Sequence, residues 1–292
     1  MQTALDCLPC FMRQALYTAR IATADTALQK EILDQAARLL TTFDLGVSPP
    51  ENAVALYGMI AEAAGCPDPF IALKDESNRL ALELAPMARE QIASAADPLA
   101  VAIKFAIAGN IIDYGAHHDF DARKTINTCL ERQLAINDGE RLRKAAEQAK
   151  SILFLADNCG ELVFDTLLIE QLGPEKVTVA VKGRPIINDA LLADAKTCGI
   201  DNICAVIDNG TACPGTPLSQ CSAAFQKAFA NADLIVSKGQ GNFETLSESA
   251  APIFFLFTVK CAVAVQHVNA LAGGQRVKSG DMVLMQAPAT NR

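Results

Sequence analysis

Five groups of polar residues in the second half of this 292-residue chain each follow a short apolar run. The groups begin at Asp157, Lys182, Asp208, Lys238 and Lys260. Short apolar runs that alternate with helical segments are typical of parallel strands, whose carboxyl ends meet at the sheet edge where open α/β folds bind ligands. One such group is typical of a turn, because Asp-Asn and Asn-Gly pairs favour turns. Five groups at one predicted edge instead indicate an active site.

The first two groups contain the residue types of a metal site. Asp157 and Asn158 follow the first apolar run, and Asp189 lies in the loop after the second. Carboxylate and amide oxygens are hard ligands, which suit a divalent cation such as Mg²⁺ or Mn²⁺ that keeps several waters. The sequence therefore predicts that Asp157, Asn158 and Asp189 bind a metal ion.

The fourth group contains the residue types of a phosphate site. Lys238 precedes Gly239 and Gly241, whose backbone N–H groups are suited to an oxyanion at the start of a helix. A metal, a lysine and a glycine-rich loop form a phosphate-handling combination. Nucleotide binding is disfavoured, because Glu244 replaces the third glycine of the dinucleotide fingerprint and the chain has no Walker motif. An aspartyl-phosphate Asp-x-Asp motif is also absent, since Cys159 stands at its second aspartate.

The elements that must position these groups form the second of two predicted domains. Apolar runs occupy residues 151–156, 177–181, 203–207, 234–237 and 253–257, and residues 282–285 resemble an edge strand. Strands that alternate with helices predict a Rossmann-like α/β domain with a doubly wound, mostly parallel sheet over residues 149–292. Residues 1–148 instead show apolar positions at helical spacing, with a helix start at Ser48 before two prolines. We therefore predict an N-terminal all-helical domain.

The overall composition bears on partners and location. The net charge of −8 argues against binding to a nucleic-acid backbone. The first residues lack the pattern of a signal peptide, and no apolar run approaches the length of about 20 residues that spans a membrane. We therefore expect a cytoplasmic protein that does not bind a membrane, and the composition is silent on its oligomeric state.

The ten cysteines include one pair with a suggestive spacing. Cys7 and Cys10 form a Cys-x-x-Cys pair, which is typical of a redox pair, a metal-binding pair or two packed thiols. A metal site would need a further ligand such as Cys261, from the far end of the chain. The sequence leaves all three interpretations open.

Taken jointly, six segments resemble the damage-control phosphatase family, also called ARMT-like or domain of unknown function 89, across nearly the whole chain. The segments are Cys7-Leu8-Pro9-Cys10, Gly109-Asn110-Ile111-Ile112-Asp113, Asp157-Asn158-Cys159-Gly160-Glu161 with Phe164-Asp165, residues 182–190, residues 237–244, and Lys260-Cys261. The Cys-x-x-Cys and Lys-Cys elements resemble the prokaryotic subgroup. Each segment is short, and it is their combination that is specific.

The resemblance implies a helical domain beside a Rossmann-like domain and metal-dependent hydrolysis of phosphomonoesters. Its metal ligands correspond to Asp157, Asn158 and Asp189, and its phosphate-contacting lysine corresponds to Lys238. Asp157, Asn158 and Lys238 are accordingly the predicted catalytic residues. The residues predicted to contact the substrate are Asn110, Asp113, Glu161, Gly239, Gly241 and Asn242.

These observations predict a phosphatase that uses Mg²⁺, Mn²⁺, Co²⁺ or Ni²⁺ to hydrolyse small phosphorylated metabolites, such as sugar phosphates or damaged phosphometabolites. Attack by a metal-activated water and attack by Asp157, which would form a phosphoaspartate, are both compatible with the sequence. Two other functions remain. One is non-catalytic binding of a metal or phosphometabolite. The other is carboxyl methylation with S-adenosylmethionine, an activity attributed to a eukaryotic family member and disfavoured because no glycine-rich loop follows the first run.

Overall fold

The computed structural model describes residues 1–112 and 130–287. The chain begins with three helices that share their own core: α1 (Cys7–Ala22), α2 (Thr26–Leu40) and α3 (Pro49–Ala64). Their amphipathic faces bury side chains such as Phe11, Ile32 and Leu56 against one another. As the sequence predicts, α3 starts directly after Ser48, whose backbone N–H donates to Glu51 Oε2 at 3.0 Å.

Two further helices, α4 (Ile71–Ser94) and α5 (Pro98–Ile112), pack on the second half of the chain. Their apolar residues join the core formed by one face of the central sheet and helix α7 (Glu161–Leu172). Phe105 of α5 stacks on Phe164 of α7 with ring centroids 6.0 Å apart. Helices α4 and α5 therefore belong to the core of the sheet and not to that of α1–α3.

The described residues contain a seven-stranded sheet with the order β1-β7-β6-β5-β2-β3-β4. The strands are β1 (Ile136–Asn137), β2 (Ile152–Leu155), β3 (Val177–Val181), β4 (Ala205–Asp208), β5 (Leu234–Lys238), β6 (Ile253–Thr258) and β7 (Met282–Gln286). All neighbouring strands are parallel except β6 and β7, which are antiparallel. This confirms the Rossmann-like, mostly parallel sheet.

Helices cover both faces of the sheet. Alternate residues of each strand point to opposite faces, and both sets are apolar and must be buried. Phe154 and Val236 face the core that contains α4, α5 and α7, whereas Leu155 and Ile235 face the opposite core. The remaining helices are α6 (Gly139–Gln148), α8 (Leu192–Thr197), α9 (Ala223–Asn231), α10 (Gln240–Leu246) and α11 (Ala262–Leu271). In the described ranges, no helix combines the length and apolar character needed to cross a membrane.

One sequence expectation about the sheet is wrong. Residues 282–285 were expected to form an edge strand, but β7 lies inside the sheet because Ile136 of β1 pairs with Val283 on its outer side. A two-residue strand has no periodicity that a sequence pattern can reveal. β1 precedes the predicted domain boundary at residue 148 and still joins the sheet, so the boundary itself stays a prediction.

Candidate active site

Backbone pairing between the loops after β2 and β3 brings the three predicted metal ligands together. The Ala190 N–H donates to the Asp157 carbonyl at 2.9 Å, and the Cys159 N–H donates to the Asn188 carbonyl at 3.0 Å. Asn158 and Asp189 form an isolated antiparallel bridge. All three predicted ligands are buried, and Asp157, the most exposed of them, is 7% exposed. The carboxyl edge of the sheet thus places them in one buried group.

The end of β5 forms another wall of this group. β5 pairs with β2, so that Leu155 lies opposite Ser237 and the following residues leave the sheet side by side. Gly239 has φ +81°, and a Cβ atom at this position would overlap the Asp157 carboxylate. Only glycine permits this backbone conformation and this close approach.

Lys238 is fully buried and binds three acceptors of the protein itself. Its ammonium contacts Glu161 Oε1, Asp165 Oδ1 at 2.7 Å and the Ala106 carbonyl at 2.7 Å. An ammonium has three N–H donors, and these contacts use all of them. Burial alone would lower the pKa of Lys238, but the Asp165 and Glu161 carboxylates raise it, so the side chain is a permanent cation. In this arrangement Lys238 neutralises two carboxylates, and its predicted contact with phosphate stays a prediction.

The Asn158 amide links this ion cluster to Asp157. Its Nδ2 donates to Asp157 Oδ2 at 3.0 Å and to Glu161 Oε2 at 3.2 Å. Because both N–H groups are directed to carboxylates, the amide oxygen is the atom left for a ligand. Glu161 connects Lys238 to Asn158 and so fixes which way the amide faces, and its predicted contact with substrate stays a prediction.

Asn242 and Lys182 connect the strand ends. Asn242 Nδ2 donates to the Ala156 carbonyl at 3.1 Å and to the Lys238 carbonyl at 2.8 Å, while its Oδ1 accepts from Thr216 at 2.7 Å. Lys182 Nζ donates to the Gly215 carbonyl at 2.7 Å and lies 3.5 Å from Asp189 Oδ2. Asn242 therefore holds the edge of the sheet together, and its predicted contact with substrate is untested.

The two glycines predicted to cradle an oxyanion have structural constraints of their own. The Gly239 N–H donates to the Leu256 carbonyl at 3.0 Å, so this donor is already used within the sheet edge. A Cβ at Gly241 would overlap the Pro214 carbonyl. Close packing accounts for both glycines, and their predicted contact with substrate stays a prediction. Asp113 and the side chain of Asn110 lie outside the part of the chain that the structure describes.

Negative charge dominates the buried site. The buried side chains of the site include five carboxyl groups and the ammonium groups of Lys182 and Lys238. The carboxyl groups belong to Asp157, Glu161, Asp165, Asp189 and Glu244. Full ionisation would place more negative than positive charge among these buried side chains, which is costly away from water. The exposed Lys260 partly offsets it, since its ammonium lowers the pKa of Asp157, Asp189 and Glu244, and the N-terminal ammonium also lowers that of Glu244.

Burial raises the pKa values of four of these carboxyl groups. Burial, reinforced by the Glu161 carboxylate, raises the pKa of Asp157 to about 6. Burial also raises the pKa of Asp189 to about 7, although Lys182 opposes the shift. The neighbouring Asp165 and Glu244 are affected in the same way, with pKa values of about 7. A bound divalent cation would lower these pKa values, because a nearby positive charge favours the ionised carboxylates.

The donor set fits such a cation. Asp189 Oδ2 is buried and has no hydrogen-bond partner among the described residues, although the Lys182 ammonium lies 3.5 Å away, and Asn158 is paired with Asp189 through a backbone bridge. No three His, Cys, Asp or Glu side chains of the described residues cluster closely enough to hold a metal by themselves. The predicted set differs from such a cluster, because it combines two carboxylates with one amide oxygen.

Asp165 is a site residue that the sequence analysis did not select. It lies four residues after Glu161 on α7, so both carboxylates face the same side of the helix. Both side chains are at most 1% exposed on a helix that is apolar almost all round. Two acidic residues at this spacing in such a helix were the available signal, since buried carboxylates require a cationic partner.

The cysteine pair lies at the start of α1. Cys7 is buried and Cys10 is half-buried, and the described cysteines are all free thiols. Burial raises the pKa of the Cys7 thiol, and the nearby Glu244, Cys261 and Cys10 act in the same direction. A raised pKa makes a thiol less reactive. The metal interpretation has no support among the described residues, where no cluster of cysteines suited to a metal occurs.

A Lys238→Met variant should be much less stable than the wild type, because it leaves the Glu161 and Asp165 carboxylates buried without a cation. Breaking a buried ion pair on one side costs about 3–5 kcal/mol, and chemical denaturation at pH 7.5 measures this. A Lys238→Met/Glu161→Gln/Asp165→Asn variant removes all three charges and should recover part of the loss. Equal stability of the single variant and the wild type would show that the cluster does not hold Lys238 as described.

The fold and site together define a Rossmann-like α/β protein with a buried, strongly acidic site at the carboxyl edge of its parallel sheet. This is the layout in which open α/β proteins bind their ligands. The chain belongs to the family defined by the damage-control phosphatase ARMT1-like domain, whose model matches residues 3–275. The family resemblance of the sequence motifs is therefore confirmed.

Similar proteins match over nearly their full length. Damage-control phosphatase PH1575 of Pyrococcus horikoshii is 33% identical over 279 residues, which span 94% of this chain and 96% of that protein. A damage-control phosphatase of Archaeoglobus fulgidus is 33% identical over 288 residues, or 95% of this chain and 96% of that protein. The crystal structure of PH1575, titled a protein of the DUF89 family, matches with a TM-score of 0.88 at 32% identity, covering 98% of this chain and 99% of that one.

Proposed function

We propose that this protein is a metal-dependent phosphatase that hydrolyses phosphomonoesters of small metabolites. The observation that carries the proposal is the buried excess of carboxylates around Asp157 and Asp189, with one Asp189 oxygen lacking a hydrogen-bond partner among the described residues. A divalent cation bound there would offset this negative charge. The two relatives named damage-control phosphatases support the same reaction class.

Asp157, Asn158 and Asp189 are the residues that would hold the metal. A divalent cation supplies a Lewis acid for phosphate oxygens and lowers the pKa of a bound water. The chain's own contribution is to position its ligands before substrate arrives. The Lys238 ammonium fixes Glu161, which orients the Asn158 amide, and the loop pairing at Ala190 fixes Asp157. Such preorganisation lets the site act without rearranging during the reaction.

The decisive experiment uses purified protein stripped of metal with EDTA. We expect no phosphate release from p-nitrophenyl phosphate in this state, and release after addition of Mg²⁺, Mn²⁺, Co²⁺ or Ni²⁺. Calorimetry of the same metals, without substrate, measures binding separately. Binding of metal without release from any member of a phosphomonoester panel would indicate a non-catalytic binding protein. Methyl transfer from S-adenosylmethionine to a carboxylate acceptor, tested in parallel, would support the methyltransferase alternative.

A further inference from the structure

A cavity of about 380 Å³ lies between the N-terminal helices and the loops that follow β3 and β4. Its walls are largely apolar: α3 contributes Val54 and Tyr57, and the turn before α4 contributes Phe70. The loop after β3 contributes Ile186 and Ile187 on the opposite side. Cavities of this size and lining are typical of small-molecule sites.

One turn connects this cavity to the proposed metal site. The Asp189 N–H donates to the Ile186 carbonyl at 3.1 Å, which closes a tight turn over residues 186–189. Ile186 and Ile187, at the beginning of the turn, line the cavity, while Asp189 at its end belongs to the acidic group. The ends of such a turn lie within about 7 Å of each other. The cavity and the proposed metal site therefore lie at the two ends of one tight turn.

The backbone of this turn is strained. Ile187 has φ +38°. Among the described residues, every other positive φ belongs to a glycine. A β-branched side chain strongly disfavours this conformation, and such strain concentrates at ligand-binding sites. Here the strained residue lines the cavity, two residues from a proposed metal ligand.

The polar groups of the cavity give it a cationic rim. Arg184 lines the cavity, is exposed, and makes no ion pair with any described residue. The lining carboxylate of Asp68 is already neutralised by Lys74, whose Nζ lies 2.8 Å away. The Thr18 hydroxyl in the wall is buried and has no hydrogen-bond partner in the described part of the chain. The cavity therefore combines apolar walls with one available guanidinium.

We infer that this cavity binds the alcohol part of the substrate and selects phosphomonoesters with an aromatic or branched apolar alcohol carrying an anionic group, over fully hydroxylated sugar phosphates. This inference rests on the proposed function. Sugar hydroxyls placed against Val54, Phe70 and Ile187 would lose hydrogen bonds to water without replacement, which disfavours their binding. An anionic group at the rim would instead pair with Arg184.

Gly58 on α3 offers a clean way to fill the cavity. It lines the cavity, and a Cβ atom there would meet nothing within 4 Å. In the wild type with saturating metal, we expect kcat/KM for 6-sulfo-2-naphthyl phosphate to exceed that for glucose 6-phosphate by at least about tenfold. Gly58→Phe should lower kcat/KM for the naphthyl ester about tenfold, mainly through KM. Ala55→Phe, an exposed position on the same helix outside the lining, is the matched control and should leave it unchanged.

Binding of the alcohol product tests the cavity separately from catalysis. Metal-free wild-type protein should bind 6-hydroxy-2-naphthalenesulfonate, measured by fluorescence titration, and Gly58→Phe should lose this binding. Arg184→Ala should weaken it about tenfold. Product binding without any hydrolysis would leave the cavity assignment standing and reject the proposed function. If Gly58→Phe left kcat/KM for the naphthyl ester unchanged, or if the wild type preferred glucose 6-phosphate, the inference would be overturned.

Discussion

An Asp157→Ala variant should lose phosphate release by more than about 1,000-fold and lose metal binding with it, because several kcal/mol of transition-state stabilisation depend on the metal. The structure predicts that the fold survives this change. Asp157 ionises in a buried site that already carries excess negative charge, and its pKa is raised to about 6. Above that pH its charge opposes folding of the metal-free protein, so that removing the carboxylate relieves repulsion.

The effect of the Asp157 charge on stability depends on pH. A carboxyl group whose pKa is higher in the folded than in the unfolded state destabilises the fold as the pH rises from about 4, its unfolded value, through 6. The Tm of metal-free Asp157→Ala at pH 8 should therefore equal or exceed that of the wild type, while its calorimetric Mn²⁺ binding disappears. Asp157→Asn, which keeps the shape, is the control and should also lose activity. Full activity in either variant would remove Asp157 from the metal site.

A Gly239→Ala variant should lose both stability and activity, although it adds a single methyl group. The new Cβ would overlap the Asp157 carboxylate at a backbone conformation, φ +81° and ψ 156°, that residues other than glycine rarely adopt. Backbone strain and overpacking together predict a loss of about 2–5 kcal/mol of unfolding free energy. Chemical denaturation of the metal-free protein and kcat with saturating metal are the measurements.

Two further variants separate the causes. Gly274 also has positive φ, +107°, but a Cβ there would meet nothing within 4 Å. Gly274→Ala should therefore show backbone strain alone, about 1–3 kcal/mol, with activity unchanged. In Gly239→Ala/Asp157→Gly the overlap is relieved, so stability should partly return while activity does not. A Gly239→Ala variant with wild-type stability and activity would contradict the close approach of this loop to Asp157.

The sequence predicted the sheet and the convergence of Asp157, Asn158 and Asp189, because both depend on local patterns. Apolar runs identify strands, and the parallel arrangement brings the ends of β2 and β3 to one edge whatever the side-chain details. The contacts of Lys238 could not be predicted in the same way. Its partners Glu161 and Asp165 lie 77 and 73 residues away along the chain, and no local pattern tells which carboxylates will share its buried position.

The cavity also could not be predicted from a sequence pattern. Thr18, Tyr57, Phe70 and Ile187 come from four separate segments, and each fits an ordinary helix or loop residue in isolation. Ile187 gives no warning of its positive φ, because β-branched residues normally avoid that conformation. β1 was missed for a simpler reason, since two residues are too few to show a period.

That short strand has a consequence for how the protein is made. Ile136 pairs with Val283, so the first strand of the sheet along the chain finds its partner in the last one. On the ribosome, the outer side of the sheet cannot close until β7 has emerged, long after β2 and β3 can pair. Contacts between such distant residues slow folding and leave intermediates exposed to aggregation. A chain truncated before Met282 should therefore fail to fold, even though it contains every residue of the proposed active site.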